Sequence, residues 1–178
     1  LATPTSMVVM WETYTNTETI LEYGITKNLR SFACGTTNVT LNATILHTST
    51  LTGLSPATRY YYKAVTGSWQ SAIYDFVTPP NRDSEASFNI VLMSDMQKDG
   101  SNPNIFANLI NTSLLPYIDS TYGTPLSDHL QMAVLPGDVV DSGNDYGQWK
   151  NDFFDPGQAL WRSVPCYPAI GNHEANSQ

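Results

Sequence analysis

From Ser6 to Val77 apolar residues come in short runs bounded by turn residues. Ser6-Met7-Val8-Val9-Met10-Trp11 reads as a strand with Trp11 as a core candidate. Thr19-Ile20-Leu21-Glu22-Tyr23 reads as a second, closed by Gly24. Thr44 to Thr48 opens a third region that runs to Leu51 and Leu54. In the segment Arg59 to Val65, Tyr60, Tyr62 and Ala64 share one face at period two, the side-chain repeat of a half-buried strand. Ile73 to Val77 is the last run. No helical period of useful length interrupts this series, and its spacing predicts an all-β sandwich over residues 1–80.

Thr78-Pro79-Pro80-Asn81-Arg82-Asp83-Ser84 closes that region. Adjacent prolines cannot sit in a central strand and favour an extended linker. Over residues 87–178 the pattern changes. Phe88-Asn89-Ile90-Val91-Leu92-Met93 is a nearly continuous apolar run, as in a strand buried on both faces. From Pro103 to Ile118, Ile105, Phe106, Leu109, Ile110, Leu114 and Leu115 recur at near-helical spacing. Met132-Ala133-Val134-Leu135 is a second buried strand. Tyr146 to Trp161 is helical in part, with Pro156-Gly157 as an interruption, and Val164 to Ile170 is a third extended segment. Strand, helix, strand, helix, strand is α/β order.

Each of the three later strands ends in a polar cluster: Ser94-Asp95-Met96-Gln97, then Gly137-Asp138-Val139-Val140-Asp141, then Gly171-Asn172-His173-Glu174. Ligand sites of α/β sheets lie just beyond the carboxyl ends of the strands. Asp95 and Asp138 offer charged oxygens, Asn172 a neutral carbonyl oxygen, and His173 an imidazole nitrogen or a proton. These donors suit hard or borderline metal ions. A carboxylate that neutralises two cations at once is needed to hold them a few ångströms apart, and Asp138 is the natural candidate. Each residue also has an ordinary reading: Asp95 as the cap of the following helix, Asp138 and Asn172 as turn formers.

Charge narrows the partners. The 178 residues carry 8 Lys plus Arg against 16 Asp plus Glu, a net charge of -8, and the few basic residues are scattered. A protein that holds duplex nucleic acid by its phosphates needs clustered basic residues, so that partner is not expected. No apolar run approaches the roughly 18 residues of a membrane helix. Low Lys, high Ser and Thr, and the sequons at Asn38, Asn42 and Asn111 fit an exported protein, secreted to the extracellular space or the periplasm, and a glycoprotein if the source is a eukaryote. The placement of Cys34 and Cys166 in two domains favours two buried thiols over a disulfide.

Two resemblances follow from these motifs. Leu54-Ser55-Pro56-Ala57-Thr58-Arg59-Tyr60 resembles the L-x-P-x-T-x-Y segment of fibronectin type III domains, in which the Tyr forms a tyrosine corner. The three strand-end clusters resemble, in order, the opening motifs of the calcineurin-like metallophosphoesterases, which include the purple acid phosphatases. The spacing is 43 residues from Asp95 to Asp138 and 34 from Asp138 to Asn172. Purple acid phosphatases share the domain order as well, a fibronectin-like domain before the catalytic one. The resemblance implies a phosphate-ester hydrolase in which Asp95 ligates the first metal, Asp138 bridges both, Asn172 ligates the second, and His173 sits by the phosphate. It implies two metal ions among Fe, Zn and Mn, attack by a metal-bound hydroxide, and a phosphorylated small molecule or protein as substrate.

The chain departs from the family pattern at three places. Gln97 stands where many members have a ligating His, so the first metal would have a weaker, neutral donor. Asp141 stands where purple members have the Tyr that gives their colour, and no such colour is expected. The family's later His motifs do not occur up to Gln178, which makes the expected second domain an incomplete α/β metallophosphoesterase sandwich of αββα type, inactive alone. His47 and His129 have no matching context. The competing readings are a phosphodiesterase or nucleotidase of the same fold, and a non-catalytic adhesion protein whose catalytic half has decayed.

Overall fold

Alternation along the first strands builds two facing sheets. In the computed structural model, which describes residues 2–15, 18–40, 42–98 and 100–175, the strands are β1 (Ser6–Thr13), β2 (Ile20–Gly24), β3 (Ser31–Cys34), β4 (Thr36–Val39), β5 (Ile45–Thr52), β6 (Arg59–Thr66), β7 (Trp69–Gln70) and β8 (Tyr74–Val77). One antiparallel sheet has the order β1-β5-β4; the other has β3-β2-β6-β7, with β8 also paired to β6. Met7 and Leu51 from the first sheet meet Leu21, Tyr60, Tyr62, Ala64 and Phe76 from the second in one core. The period-two face of β6 is the buried one, as its residue types require. The Tyr60 hydroxyl accepts from the Ser55 N–H at 2.9 Å, which is the tyrosine corner.

β3, β4 and β7 have no counterpart in the sequence reading, because they lack alternation: Phe32 in β3 is 71% exposed. The two cysteines are free, but Cys34 is exposed rather than buried, at the end of that short strand. Cys166 is half-buried, and burial pushes its thiol up to about 11, so it packs as a small apolar group. The Asn111 amide of the third sequon donates to the carbonyls of Ala107 and Pro156 at 2.9 Å each, tying two helical segments together.

The chain divides into two units, Leu1–Ala86 and Ser87–Gln178. The second contains β9 (Ile90–Leu92), α1 (Ile105–Asn108), a π-helical turn (Leu109–Leu114), α2 (Leu115–Tyr122), α3 (Leu126–His129), β10 (Met132–Leu135), α4 (Tyr146–Gln148), a second π-helical turn (Trp149–Phe154), α5 (Asp155–Trp161), β11 (Cys166–Pro168) and α6 (Asn172–Ala175). β9, β10 and β11 form a parallel sheet of order β11-β10-β9. Phe106, Ile110, Ile118, Phe153 and Leu160 from the helical segments pack with Ala133 and Leu135 of β10. Strand-helix alternation thus makes an α/β layer, as its order requires.

Two expectations and one alternative reading differ from the structure. The run Phe88 to Met93 is not a strand buried on both faces. β9 is the edge of its sheet, with Val91 packed against the core and Ile90 and Leu92, on the opposite face, 54% and 67% exposed. An apolar run fixes strand tendency but not which faces are covered. Pro156 does not interrupt the helix. Both Pro116 and Pro156 sit in the first turn of an α segment that follows a π turn, and the chain stays helical through each. Proline has no N–H to give, and its place at the start of the new segment is where that loss matters least. Asp95 is not a helix cap, since the next helix begins at Ile105 with Asn104 as its N-cap. Among the described residues no helix is long and apolar enough to cross a membrane.

His47 is the sandwich's buried polar centre. It is fully buried, stacks on Trp11 at 5.1 Å between ring centroids, and bonds the hydroxyls of Thr13 and Thr19 at 2.7 Å each. The Thr13 hydroxyl donates to the Thr15 carbonyl. It therefore accepts from His47 Nε2–H, and Nδ1 accepts from Thr19. Burial lowers the His47 pKa from its ordinary 6.5, so the folded unit holds a neutral ring while the unfolded chain takes up a proton as pH falls through 6.5. Stability is complete above that value and declines below it. Urea unfolding followed by Trp11 fluorescence is expected to show a lower midpoint at pH 5 than at pH 7.5. A His47→Gln variant should be weaker at pH 7.5, with a flatter dependence on pH. An equally steep dependence in the variant would rule His47 out as its source.

Candidate metal centre

The parallel register sets the three carboxyl ends side by side. Val134 pairs with Leu92 and with Tyr167, so the chain leaves all three strands at one edge. The first turn is bonded to the second through backbone: Asp95 N–H to the Gly137 carbonyl at 3.4 Å, and the N–H groups of Met96 and Gln97 to the Asp138 carbonyl at 2.9 and 3.2 Å. The second is bonded to the third through side chains. The His173 N–H donates to Asp138 Oδ1 at 3.0 Å. The Glu174 carboxylate accepts from Asp138 and Gly171 through Oε2 and from Val139 and Val140 through Oε1.

Sequence chemistry explains why these turns hold their shape. Asp95 and Asp138 both have left-handed backbone, with φ of 55° and 53°. That conformation is costly for a residue with a Cβ and persists where surrounding structure over-determines it, most often at functional sites. The over-determination is visible. Met96 beside Asp95 is buried, and Val139 and Val140 after Asp138 are 1% and 0% exposed, so apolar anchors flank both aspartates. Gly137 and Gly171 touch back to back. A Cβ on Gly137 would lie 2.6 Å from Gly171 Cα, and one on Gly171 would lie 2.2 Å from Asp138 Oδ1. Gly137 also has φ of +123°; at Gly171 it is space, not φ, that demands glycine.

His173 is oriented by the second turn. Its Nδ1 donates to the Asp141 carbonyl at 2.8 Å, with the Asp141 carboxylate at 3.4 Å. A carbonyl only accepts, so Nδ1 carries a proton, and Nε2 is the atom that gains and loses the second one. The Asp141 carbonyl raises its pKa. Burial opposes this, and the charges of Asp138, Asp141 and Glu174 add to it. For Glu174, burial works against the charged form, but the N–H groups of Gly171, Val140, Asp138 and Val139 outweigh it and hold the carboxyl below its usual range.

Of the five residues expected at the site, the structure joins Asp138 directly to the Asn172-His173 turn, ties Gln97 to the Asp138 carbonyl through backbone, and ties Asp95 to the carbonyl of the neighbouring Gly137. Asp95 and Asn172 side chains are exposed, while Asp138 and His173 are half-buried. Gln97 Oε1 is buried and has no hydrogen-bond partner among the described residues. A buried, unpaired amide oxygen is costly, and a cation is one group that would satisfy it. Among the described residues no three His, Cys, Asp or Glu side chains gather to hold a metal ion. The oxygens of Asp95, Gln97, Asp138 and Asn172 nonetheless fit a hard or borderline cation in charge and type. Sequence reasoning missed the use of Asp141, which orients His173 through its carbonyl, and of Glu174, whose role depends on partners 34 to 36 residues away.

The family match lies within the first unit, and the structural likenesses extend over both. Residues 1–78 match the purple acid phosphatase N-terminal domain. Over 97% of its length the chain is similar in fold to purple acid phosphatase PPD1 isolated from yellow lupin (Lupinus luteus) seeds, with a TM-score of 0.77 and 20% identity, covering 34% of that chain. It is similar over the same share to PhoD, with a TM-score of 0.59 and 13% identity, covering 37% of that chain. The chain thus spans about a third of the length of each. At these identities the likeness is one of fold: a fibronectin-like sandwich followed by an α/β unit. No curated protein matches the chain.

The contact of Gly137 with Gly171 yields a direct expectation. Gly171→Ala forces a methyl group into Asp138, at about 1–3 kcal/mol for overpacking. Amide exchange at Val139 and Val140 should quicken in that variant. Unchanged exchange at both would show that the two turns do not depend on each other.

Proposed function

We propose that the strand-end turns of the second unit belong to a dinuclear metal centre that hydrolyses phosphate esters. The observation that carries this reading is the joining of the three turns around Asp138, with left-handed backbone at both aspartates. Asp138 would be shared between the two ions, Asp95 and Gln97 would help to hold one, and the Asn172 amide oxygen would help to hold the other. A pair of such ions, when bound, supplies the positive charge that draws in a phosphate and acidifies water. His173, with Nδ1 held on the Asp141 carbonyl, presents Nε2 to the phosphate and passes a proton to the leaving oxygen.

The finer reading is a phosphomonoesterase like the acid phosphatases, with Fe, Zn or Mn as its metals and a phosphorylated small molecule or protein as substrate. The match of residues 1–78 to a purple acid phosphatase N-terminal domain supports it. The scarcity of Lys fits action outside the cytoplasm, and the excess of carboxylate gives no purchase for duplex nucleic acid.

The test uses the natural protein that carries this sequence, loaded with Mn²⁺, Fe or Zn²⁺ and assayed on a chromogenic phosphomonoester. Loss of the bridging and second-metal ligands in an Asp138→Ala, Asn172→Ala double variant should lower kcat/KM by about 10³-fold or more, as removal of groups acting in the transition state does. Equal rates for the two proteins would defeat the proposal. Faster cleavage of a bis-ester than of the monoester would move it to the phosphodiesterases.

A further inference from the structure

Glu174 occupies a position that neither the ligand set nor the proton-transfer chemistry accounts for. A carboxylate has about four lone-pair positions. Here Oε2 takes the N–H of Asp138 at 2.9 Å and of Gly171 at 2.8 Å, and Oε1 takes the N–H of Val139 at 2.9 Å and of Val140 at 3.2 Å. All four are in use. The donors come from two turns that follow different strands, so one side chain spans the joint between them. Three are consecutive residues, 138 to 140, whose N–H groups converge in the manner of an anion-binding nest. The nest is filled by the protein's own carboxylate.

We propose that Glu174 is the positioning residue of the metal centre, a clip that sets the spacing between Asp138 and Asn172 without itself ligating a cation. This rests on the reading of Asp138 and Asn172 as ligands. Asn172 and His173 lie between the two residues that grip, Gly171 by its N–H and Glu174 by its side chain. Any loosening of the clip therefore shifts both at once relative to Asp138. The His173 N–H on Asp138 Oδ1 at 3.0 Å belongs to the same joint and turns the bridging carboxylate. Gly143, beside the Asp141 turn, donates to the His173 carbonyl at 3.3 Å, and Trp149 Nε1 donates to the Gly143 carbonyl at 2.9 Å. The clip thus reaches into the helical layer.

Glutamine in place of Glu174 keeps the size but can accept through one oxygen alone, leaving two of the four N–H groups facing an amide nitrogen. The experiment compares the natural protein with Glu174→Gln and Glu174→Ala by Mn²⁺ titration calorimetry of the metal-free proteins, and by activity as metal is raised. Partners that orient metal ligands typically change affinity by about 10–100-fold. Glu174→Gln should weaken Mn²⁺ binding by that factor, with kcat recovering at saturating metal, and Glu174→Ala should be weaker still. A merely structural loss would lower the folded fraction and leave the affinity of the rest unchanged. Wild-type affinity in Glu174→Gln overturns the proposal and leaves the metal centre standing. No Mn²⁺ binding by the wild type overturns both. Amide exchange of the unsubstituted metal-free protein is an independent check: Asp138, Val139, Val140 and Gly171 should be protected, and exchange at the rate of open loops removes the clip.

Discussion

The second unit depends on one joint, where the turn after β10 meets the turn after β11. Two glycines in contact bring the backbones together, and the Glu174 carboxylate and the His173 N–H fasten them. A parallel sheet delivers its strand ends to one edge but does not fix the loops beyond it. Backbone N–H groups left over at such ends need partners, and here they find a carboxylate. The same contacts that satisfy those donors set the spacing between Asp138 and the Asn172-His173 turn, so the fold and the geometry of this edge draw on the same atoms.

Strain and anchoring are paired around that joint. Asp95 and Asp138 are held in left-handed backbone that costs on the order of 1–3 kcal/mol each. Each buried aliphatic side chain contributes about 1.5–3 kcal/mol, and Met96, Val139 and Val140 stand next to the strained residues. The sandwich makes a parallel use of polarity inside its core. His47 is tolerable there because both ring nitrogens are bonded and its face is covered by Trp11.

Much of this was legible in the residues. The period-two face of Tyr60, Tyr62 and Ala64, and the Tyr60 corner, follow from spacing and a local motif, and both are in the structure. Strand-helix alternation announced the α/β layer. What stayed hidden depends on partners far away in the chain. The exposure of Ile90 and Leu92 depends on which face of the sheet the helices cover, and an apolar run carries no record of that. Phe32 and Val39 lie in strands without alternation and gave no signal. The cluster Gly171-Asn172-His173-Glu174 was recognisable, but the meaning of its last residue came only with its four donors. Pro156 read as an interruption because the widened turn before it has no sequence signature.

The proposed function has the three turns hold two cations across Asp138. Anomalous diffraction at the manganese edge, from crystals of the natural protein grown with Mn²⁺, tests it most directly. Two peaks about 3.5–4 Å apart are expected, with Asp138 between them, Asp95 on one side and Asn172 on the other. A single peak away from Asp138, or none at these turns, would contradict it.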